Sequence, residues 1–541
     1  MILIDQHTKQ IMEECKIYAK KAGLKFDHET LEYIVTNKDM IELSPKVMIP
    51  TLYDYWVHDV EVLKGKGKYQ VYPSNPYETV INSRPAISFY NDNNPDWLNV
   101  MIFYHVLGHI DFFQNNELFK ASWNDDFVGQ ALSDKRLIAN LRSKHGRWVD
   151  YTIEFARSID NLVGYFNQLS SLSYSKEKEL TNKLDFYFQK FLQEEVKISD
   201  HIIFKEIERY NALLERDANV AETLFFTGVK EKYPQFLSIY ESYIRKQKNQ
   251  KAEKPTQKDV VEFILENSEF LNREGNQWMK SVISIVRNTA LYFSPQIRSK
   301  IINEGWASYW HDSLFRQDHR IKGHEVAFSK INAGVTSISR VGLNPYAIGL
   351  RLIEYVEELG NKGKMSWQFQ QLLSIDERKK FNNHANKGQE SIFFLRKYFS
   401  DFMLINTFVD QDFVNKHDLF VTGKRYNKQR GTIEYYVKSR RSEDYKKMLL
   451  DSLYHPPVIT VNEEKTSLKN LYLVHQFENK QLVKDFIADT LIGIEYLWGG
   501  TVQLQTTEIV RKKTAINTKE SFEYRPVLYT IKDRKIKKED L

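Results

Sequence analysis

Between Asn94 and Phe113 the apolar positions follow no single face. Trp97, Leu98, Val100, Met101, Ile102, Phe103, Val106, Leu107, Ile110 and Phe112 surround the predicted helix, and a helix apolar on all sides belongs in a core. Asn94 reads as its cap and Pro95 as its first residue. Just before it, residues 78–90 read as two short strands about a turn at Asn82–Pro85. Residues 6–60 carry helical periodicity, followed by a Gly-Lys turn at Lys64–Lys68. Residues 125–245 read as amphipathic helices, 245–258 as a basic, Pro-containing exposed connection, and the following block to about 400 as helical again. Within that block Ser294-Pro295 predicts the start of a helix over 295–315.

The pattern changes near residue 426. Thr432–Val437 alternates like a strand, Ser442–Tyr454 is helical, and Val458–Val461 and Asn470–His475 are strands. Lys480–Trp498 is helical up to a Gly499-Gly500 stop, and Thr501–Thr507 is a strand. That order, β-α-β-β-α-β, is the split βαβ or ferredoxin-like arrangement. The expected fold class is therefore α+β. Residues 1–425 would form a mainly helical domain, 426–510 a ferredoxin-like domain and 511–541 a tail.

Composition narrows the setting. With 541 residues and 42% hydrophobic content the chain can bury large cores. Its one cysteine, Cys15, excludes an intrachain disulfide and fits a reducing compartment. A metal would have to use His, Asp or Glu. Asp5 interrupts any signal-like run, and the longest uncharged apolar stretch, 97–110, falls short of the roughly 20 residues that span a bilayer. These features predict a soluble cytoplasmic protein. Of the net charge of +6, residues 511–541 hold +5 (ten Lys/Arg, five acids), leaving +1 for 1–510. A near-neutral body gives no reason to expect a nucleic-acid partner, and the tail reads as a solvated appendage.

The candidate chemistry sits in the two apolar helices. His105 and His109 are four apart and share a helix face able to grip one metal ion. Fourteen histidines give about 0.4 such spacings by chance, so the spacing alone is weak, but the apolar setting demands partners for both rings. On the second helix Ile301, Glu304, Ser308, His311 and Phe315 fall on one stripe with Ile297, and Gly305 permits close helix approach. His105, His109 and Glu304 together make a two-His-one-carboxylate set, the gluzincin layout, with an open fourth position. Zinc is the expected ion and a zincin-like fold the expected frame. The competing reading is a set of core residues satisfied by hydrogen bonds. The usual His-Glu-x-x-His base is missing, because Val106 follows His105. His311 is the candidate proton carrier, with Glu117 and Glu154 behind it, and Arg287 or Asn116 could stabilise an oxyanion.

Several linked motifs resemble the stage V sporulation protein R (SpoVR-like) family. They are Tyr77-Glu78-Thr79-Val80-Ile81-Asn82-Ser83-Arg84-Pro85, His105–His109, Phe112–Asn116, Arg287, Tyr292–Gln296, Asn303–His311, Leu343–Tyr346 and Leu497–Gly499, spanning roughly residues 10–508. The sequence departs from the family pattern at Tyr55-Trp56, where His58 is displaced, and at Asn332, where the family tends to carry His. The resemblance implies a cytoplasmic protein linked to sporulation and spore cortex formation, or, in non-sporing bacteria, to stress responses. It also implies association with a serine protein kinase and a von Willebrand-type domain protein. Two functions follow from residues and resemblance together: a metal-dependent peptidase or amidase acting on a protein or peptide-like substrate, or a non-enzymatic regulatory or scaffolding protein.

Overall fold

The computed structural model describes residues 2–39, 78–120, 127–163, 182–196, 200–216, 220–249, 258–427, 431–477, 481–512 and 521–541, except positions 28, 38, 340, 341, 371, 373, 454 and 455. The Lys64–Lys68 turn, Tyr55-Trp56 and residues 250–257 of the basic connection lie outside these. Among the described residues no helix is long and apolar enough to cross a membrane.

The N-terminal segment forms a four-stranded sheet from β1 (Ile2–Leu3), β2 (Thr30–Val35), β3 (Glu78–Ile81) and β4 (Ala86–Asn91), in the order β1-β2-β4-β3. Only β2 and β4 run parallel. Helix α1 (Gln6–Lys21) opens on Asp5, whose carboxylate accepts from the Thr8 amide. Helix α2 (Asp96–Asn115) leaves β4 through a short turn, and every residue from Leu98 to Phe113 is buried, as its pattern predicts. Pro95 itself takes the extended capping position, one residue later than the Asn94 cap expected.

Three further helices join this core, α4 (Lys300–Phe315), α5 (Glu325–Val335) and α6 (Pro345–Asn361), and they follow α3 (Gln277–Arg298), whose residues 279–286 face a second core. Ser294-Pro295 does not start a helix. Pro295 sits in the last turn of α3, and the chain breaks at Ser299 before α4 begins. Pro295 has no N–H to give the Leu291 carbonyl, and the helix ends three residues beyond it. Ser299 makes no side-chain cap. The cap comes from 100 residues downstream, where Asp401 Oδ2 and Oδ1 accept from the amides of Ile301 and Ile302, each at 2.8 Å. Asp401→Ala should therefore lower unfolding free energy by about 1–2 kcal/mol, read by urea denaturation. An unchanged midpoint would show that the cap is dispensable.

Helix α4 lies between α2 and α6, and small residues set both spacings. A Cβ on Gly108 would sit 2.8 Å from Ala307 Cα, and one on Gly305 would sit 2.2 Å from the Gly349 carbonyl carbon. The Trp306 indole N–H crosses to Asp111 Oδ2 at 2.9 Å, tying α4 to α2.

The C-terminal architecture differs from the expectation. β5 (Val421–Asn427) and β6 (Thr432–Ser439) pair only with each other, as an antiparallel ribbon. β7 (Ile459–Val461), β8 (Asn470–His475), β9 (Thr501–Lys512), β10 (Ser521–Lys532) and β11 (Lys535–Asp540) form a separate sheet in the order β11-β10-β9-β8-β7. β8 and β9 are parallel and are joined by α7 (Lys484–Trp498), while the other pairs are antiparallel. The ferredoxin-like order is therefore corrected. β6 finds its partner in the polar, Lys-Arg-bearing segment just before it, and hairpin pairing with a near neighbour displaces pairing with a distant sheet.

The tail is corrected as well. Residues 521–532 and 535–540 are strands, with Val527, Tyr529 and Ile531 buried along the first and every residue of the second exposed. A charge count hides such alternation. This sheet shares a core with residues 138–163 and 260–286. Tyr445 and Leu449, by contrast, join the first core, so the cores do not divide at residue 426. A third, aromatic cluster spans 184–236.

Candidate metal centre

Helix α2 sets His105 and His109 one turn apart, their rings nearly perpendicular with centroids 4.6 Å apart. Glu304 reaches them from α4. Its Oε2 lies 3.7 Å from His105 Nε2 and 3.5 Å from His109 Nε2, and the three ligand atoms lie within 4.8 Å of one another. These separations exceed an ordinary hydrogen bond. They approach the roughly 3.3 Å expected between two ligands each about 2.0–2.1 Å from one tetrahedral ion.

The hydrogen bonds behind the rings set their tautomers. His109 Nδ1 meets Asn303 Oδ1 at 3.0 Å, so Nδ1 carries the proton and the Nε2 lone pair faces Glu304. His105 Nδ1 meets His311 Nδ1 at 2.9 Å, His311 Nε2 meets Asn332 Oδ1 at 3.0 Å, and Asn332 Nδ2 donates to Asp312 Oδ1 at 2.6 Å. Because the Asn332 amide donates to Asp312, its oxygen must face His311. His311 then donates from Nε2 and accepts at Nδ1, so His105 donates from Nδ1 and also turns an Nε2 lone pair toward Glu304. Asn332, at the position where the resembled family tends to have His, is thus a link in this chain. Two imine lone pairs and a carboxylate oxygen converge. Glu304 Oε2 is buried with no hydrogen-bond partner among the described residues, and a cation would satisfy all three.

Electrostatics follow the same geometry. Burial, together with the His105 charge, pushes His109 down to about 4, and burial with His105 pushes His311 down to about 3. Both rings are therefore neutral near pH 7, the form that ligates or relays. Burial also opposes charge on His105, but Glu304 and Glu78 outweigh it and raise its pKa. Burial raises Glu304, yet the two imidazoles bring it below the ordinary carboxylate range.

Two groups that the sequence reading did not assign face this cluster. Glu78 shares a face of β3 with Val80, which packs on the first core, and it pairs across the ladder with buried Tyr90, itself against Phe103 of α2. His105 and Glu304 are its charged neighbours, and burial raises its pKa. The strand alternation of Glu78 with Val80 was the signal available for it. Tyr346, in the first turn of α6, stacks on His105 with centroids 6.1 Å apart, and its hydroxyl lies beside Glu304. It is held there by Asn344, whose side chain accepts from the Tyr346 amide at 3.1 Å.

Other candidates are engaged elsewhere. Arg287 donates to Asp259 at 2.9 and 2.6 Å and to Glu262 at 3.0 Å. Asn116 donates to the carbonyls of Arg396 and Phe399 and accepts from the Leu118 amide. Asn116 has no N–H to spare for an oxyanion, and Arg287 is held by two carboxylates of the 259–262 segment. Glu154 is exposed on its helix, and Glu117 opens the short helix after α2.

Comparison with known proteins identifies the family. The family model described as SpoVR like protein matches residues 5–455, so Leu497–Gly499 falls beyond it. The Uncharacterized protein YcgB of Escherichia coli (strain K12) is 23% identical over 375 residues, 66% of this chain. The chain spans 64% of that relative's own length. No solved structure matches. With 451 of its 541 residues under the family model, the chain belongs to the SpoVR family.

Proposed function

We propose that this chain is a zinc-dependent hydrolase of peptide-like amide bonds, built on a zincin-like core, with His105, His109 and Glu304 holding the ion. The observation that supports this most is the convergence of three buried ligand atoms, one of them an orphaned carboxylate oxygen. When bound at such a set, zinc supplies Lewis-acid polarisation of a carbonyl and a water acidified toward neutral pH.

The chain's own residues supply the rest. Val106, at the usual base position, is wholly buried and apolar, so the proton acceptor must come from another element. Glu78 on β3, with His105 and Glu304 as its charged neighbours, is the carboxylate placed for it, and burial raises its pKa, the direction a stronger base requires. The Tyr346 hydroxyl can donate to a developing oxyanion. His311 has both ring nitrogens engaged, and its role is to hold the His105 ring rather than to carry protons.

The family resemblance supports a cytoplasmic setting, with a role in sporulation and cortex formation or in stress response, and a serine protein kinase system as partner. The test is release of new amine groups from peptides and cell-wall peptides by the zinc-loaded protein. Glu78→Gln should keep its zinc and lose release about 100-fold or more. Zinc bound with no release from any amide would favour the regulatory reading instead.

A further inference from the structure

A pocket of about 60 Å³ lies beside the second core, and none of its lining residues belongs to the histidine cluster. One wall is a stripe of α3, where Val286, Phe293 and Ile297 recur at helical spacing. The other is the chain that leaves the helix Trp148–Arg157, from Arg157 through the turn at Asp160–Leu162 to Val163. Val163, Val286 and Phe293 are buried and make the lining apolar. Thr289 adds a methyl to it, because its hydroxyl is spent on the Ile285 carbonyl at 2.8 Å. Ile297 is 42% exposed, so the pocket reaches solvent near the end of α3.

Three charged side chains line the same space: Arg157, Asp160 and Arg298, all half-buried. Asp160 is the one in need of a partner. Burial lifts its pKa to about 6, against the pull of the Arg157 charge and the Asn161 amide. Arg157 is thus near enough to act through space, yet among the described residues neither it nor Asp160 makes an ion pair within 4.0 Å. A half-buried carboxylate and guanidinium that face one space without touching leave room for a group between them. A perturbed acid in an apolar cleft is also the usual mark of a ligand site.

Charge and size select the ligand. A plain anion would suit the arginines and be repelled by Asp160, and a plain cation would meet the reverse. A zwitterion satisfies both signs at once. About 60 Å³ holds roughly four to six water-sized groups, and the apolar lining disfavours a polar side chain. Glycine and alanine meet both conditions.

We propose that this pocket binds a free α-amino acid with a small apolar side chain, its carboxylate on Arg157 and Arg298 and its ammonium on Asp160. The pocket shares no residue with the metal site, and the proposal does not depend on the metal reading.

Isothermal titration calorimetry of the full chain with glycine and L-alanine tests it. Dissociation constants of about 10 μM to 1 mM are expected for ligands this small. Propionate lacks the ammonium and L-alaninamide the carboxylate, and each should bind at least about 10-fold more weakly than L-alanine. Asp160→Asn and Arg157→Gln should each weaken L-alanine binding roughly 10- to 100-fold. Asp160→Asn keeps the side-chain shape and removes a half-buried charge, so its melting temperature should hold or rise while binding is lost. Free amino acids also bind zinc, so the titration is repeated with EDTA and should give the same affinity. No binding by wild type, propionate binding equal to that of L-alanine, or affinity unchanged in both variants overturns the proposal. Binding that disappears with EDTA does so too, because it would place the amino acid on a metal ion.

Discussion

Protein purified without chelator is expected to carry about one equivalent of zinc, and His105→Ala, His109→Ala and Glu304→Ala less than about 0.2. The large effect follows from the ligand count. Among the described residues two imidazoles and one carboxylate converge, and removing one would leave a pair that cannot define a tetrahedral site. Removing the ion should also lower stability. At a free zinc concentration 100 times the dissociation constant the bound ion contributes about 2.7 kcal/mol, so chelation should lower the melting temperature of wild type but not of Glu304→Ala. The pH dependence has a defined sign. His109 stays neutral down to about pH 4, but His105 has a raised pKa and binds a proton in competition with the metal. Zinc affinity should fall as pH drops through the range where His105 protonates and recover as it rises. Metal content unchanged in His105→Ala would sink the assignment.

Gly305→Ala should cost about 3 kcal/mol or more, and Gly305→Val should yield no folded protein. A methyl at Gly305 would lie 2.2 Å from the Gly349 carbonyl carbon, and one at Gly349 would lie 2.0 Å from the Ile301 carbonyl oxygen. These neighbours are backbone, so no rotamer change relieves the overlap, and α4 must move off α6. Moving α4 also moves Glu304, one residue away. Gly334→Ala serves as the control, because nothing lies within 4 Å of its added carbon. In a helix that change should be neutral or stabilising by up to about 1 kcal/mol. Equal melting temperatures for the two alanine variants would show that the close crossing is not what positions α4.

The histidine pair and its glutamate could be read from spacing because each lies on a helix whose apolar pattern is unambiguous. Burial of that pattern forces the polar exceptions to have a purpose. Glu78 was harder to find, since a strand of four residues shows only two positions per face. Tyr346 was visible as part of a helix start but not as a neighbour of His105, because α6 meets α2 only through folding. Arg287 illustrates the opposite error. A motif arginine invites a catalytic role, yet Asp259 and Glu262 occupy it. The C-terminal strands were found but misassembled: Thr432–Val437 has the right alternation, and alternation does not name the partner strand. Residues 521–540 were missed because six Lys/Arg in twenty residues dominate a charge count.

The second core has a consequence for how this chain is made. Its helices, within residues 138–163 and 260–286, are complete long before the strands up to Ile531 that cover them. At roughly 5–20 residues per second the ribosome leaves the faces bearing Val282, Ile283 and Val286 unmatched for about 10–50 s. A nascent chain must therefore carry a half-built apolar surface through nearly half of its synthesis. Truncation after residue 455, where the family match ends, would make that transient state permanent.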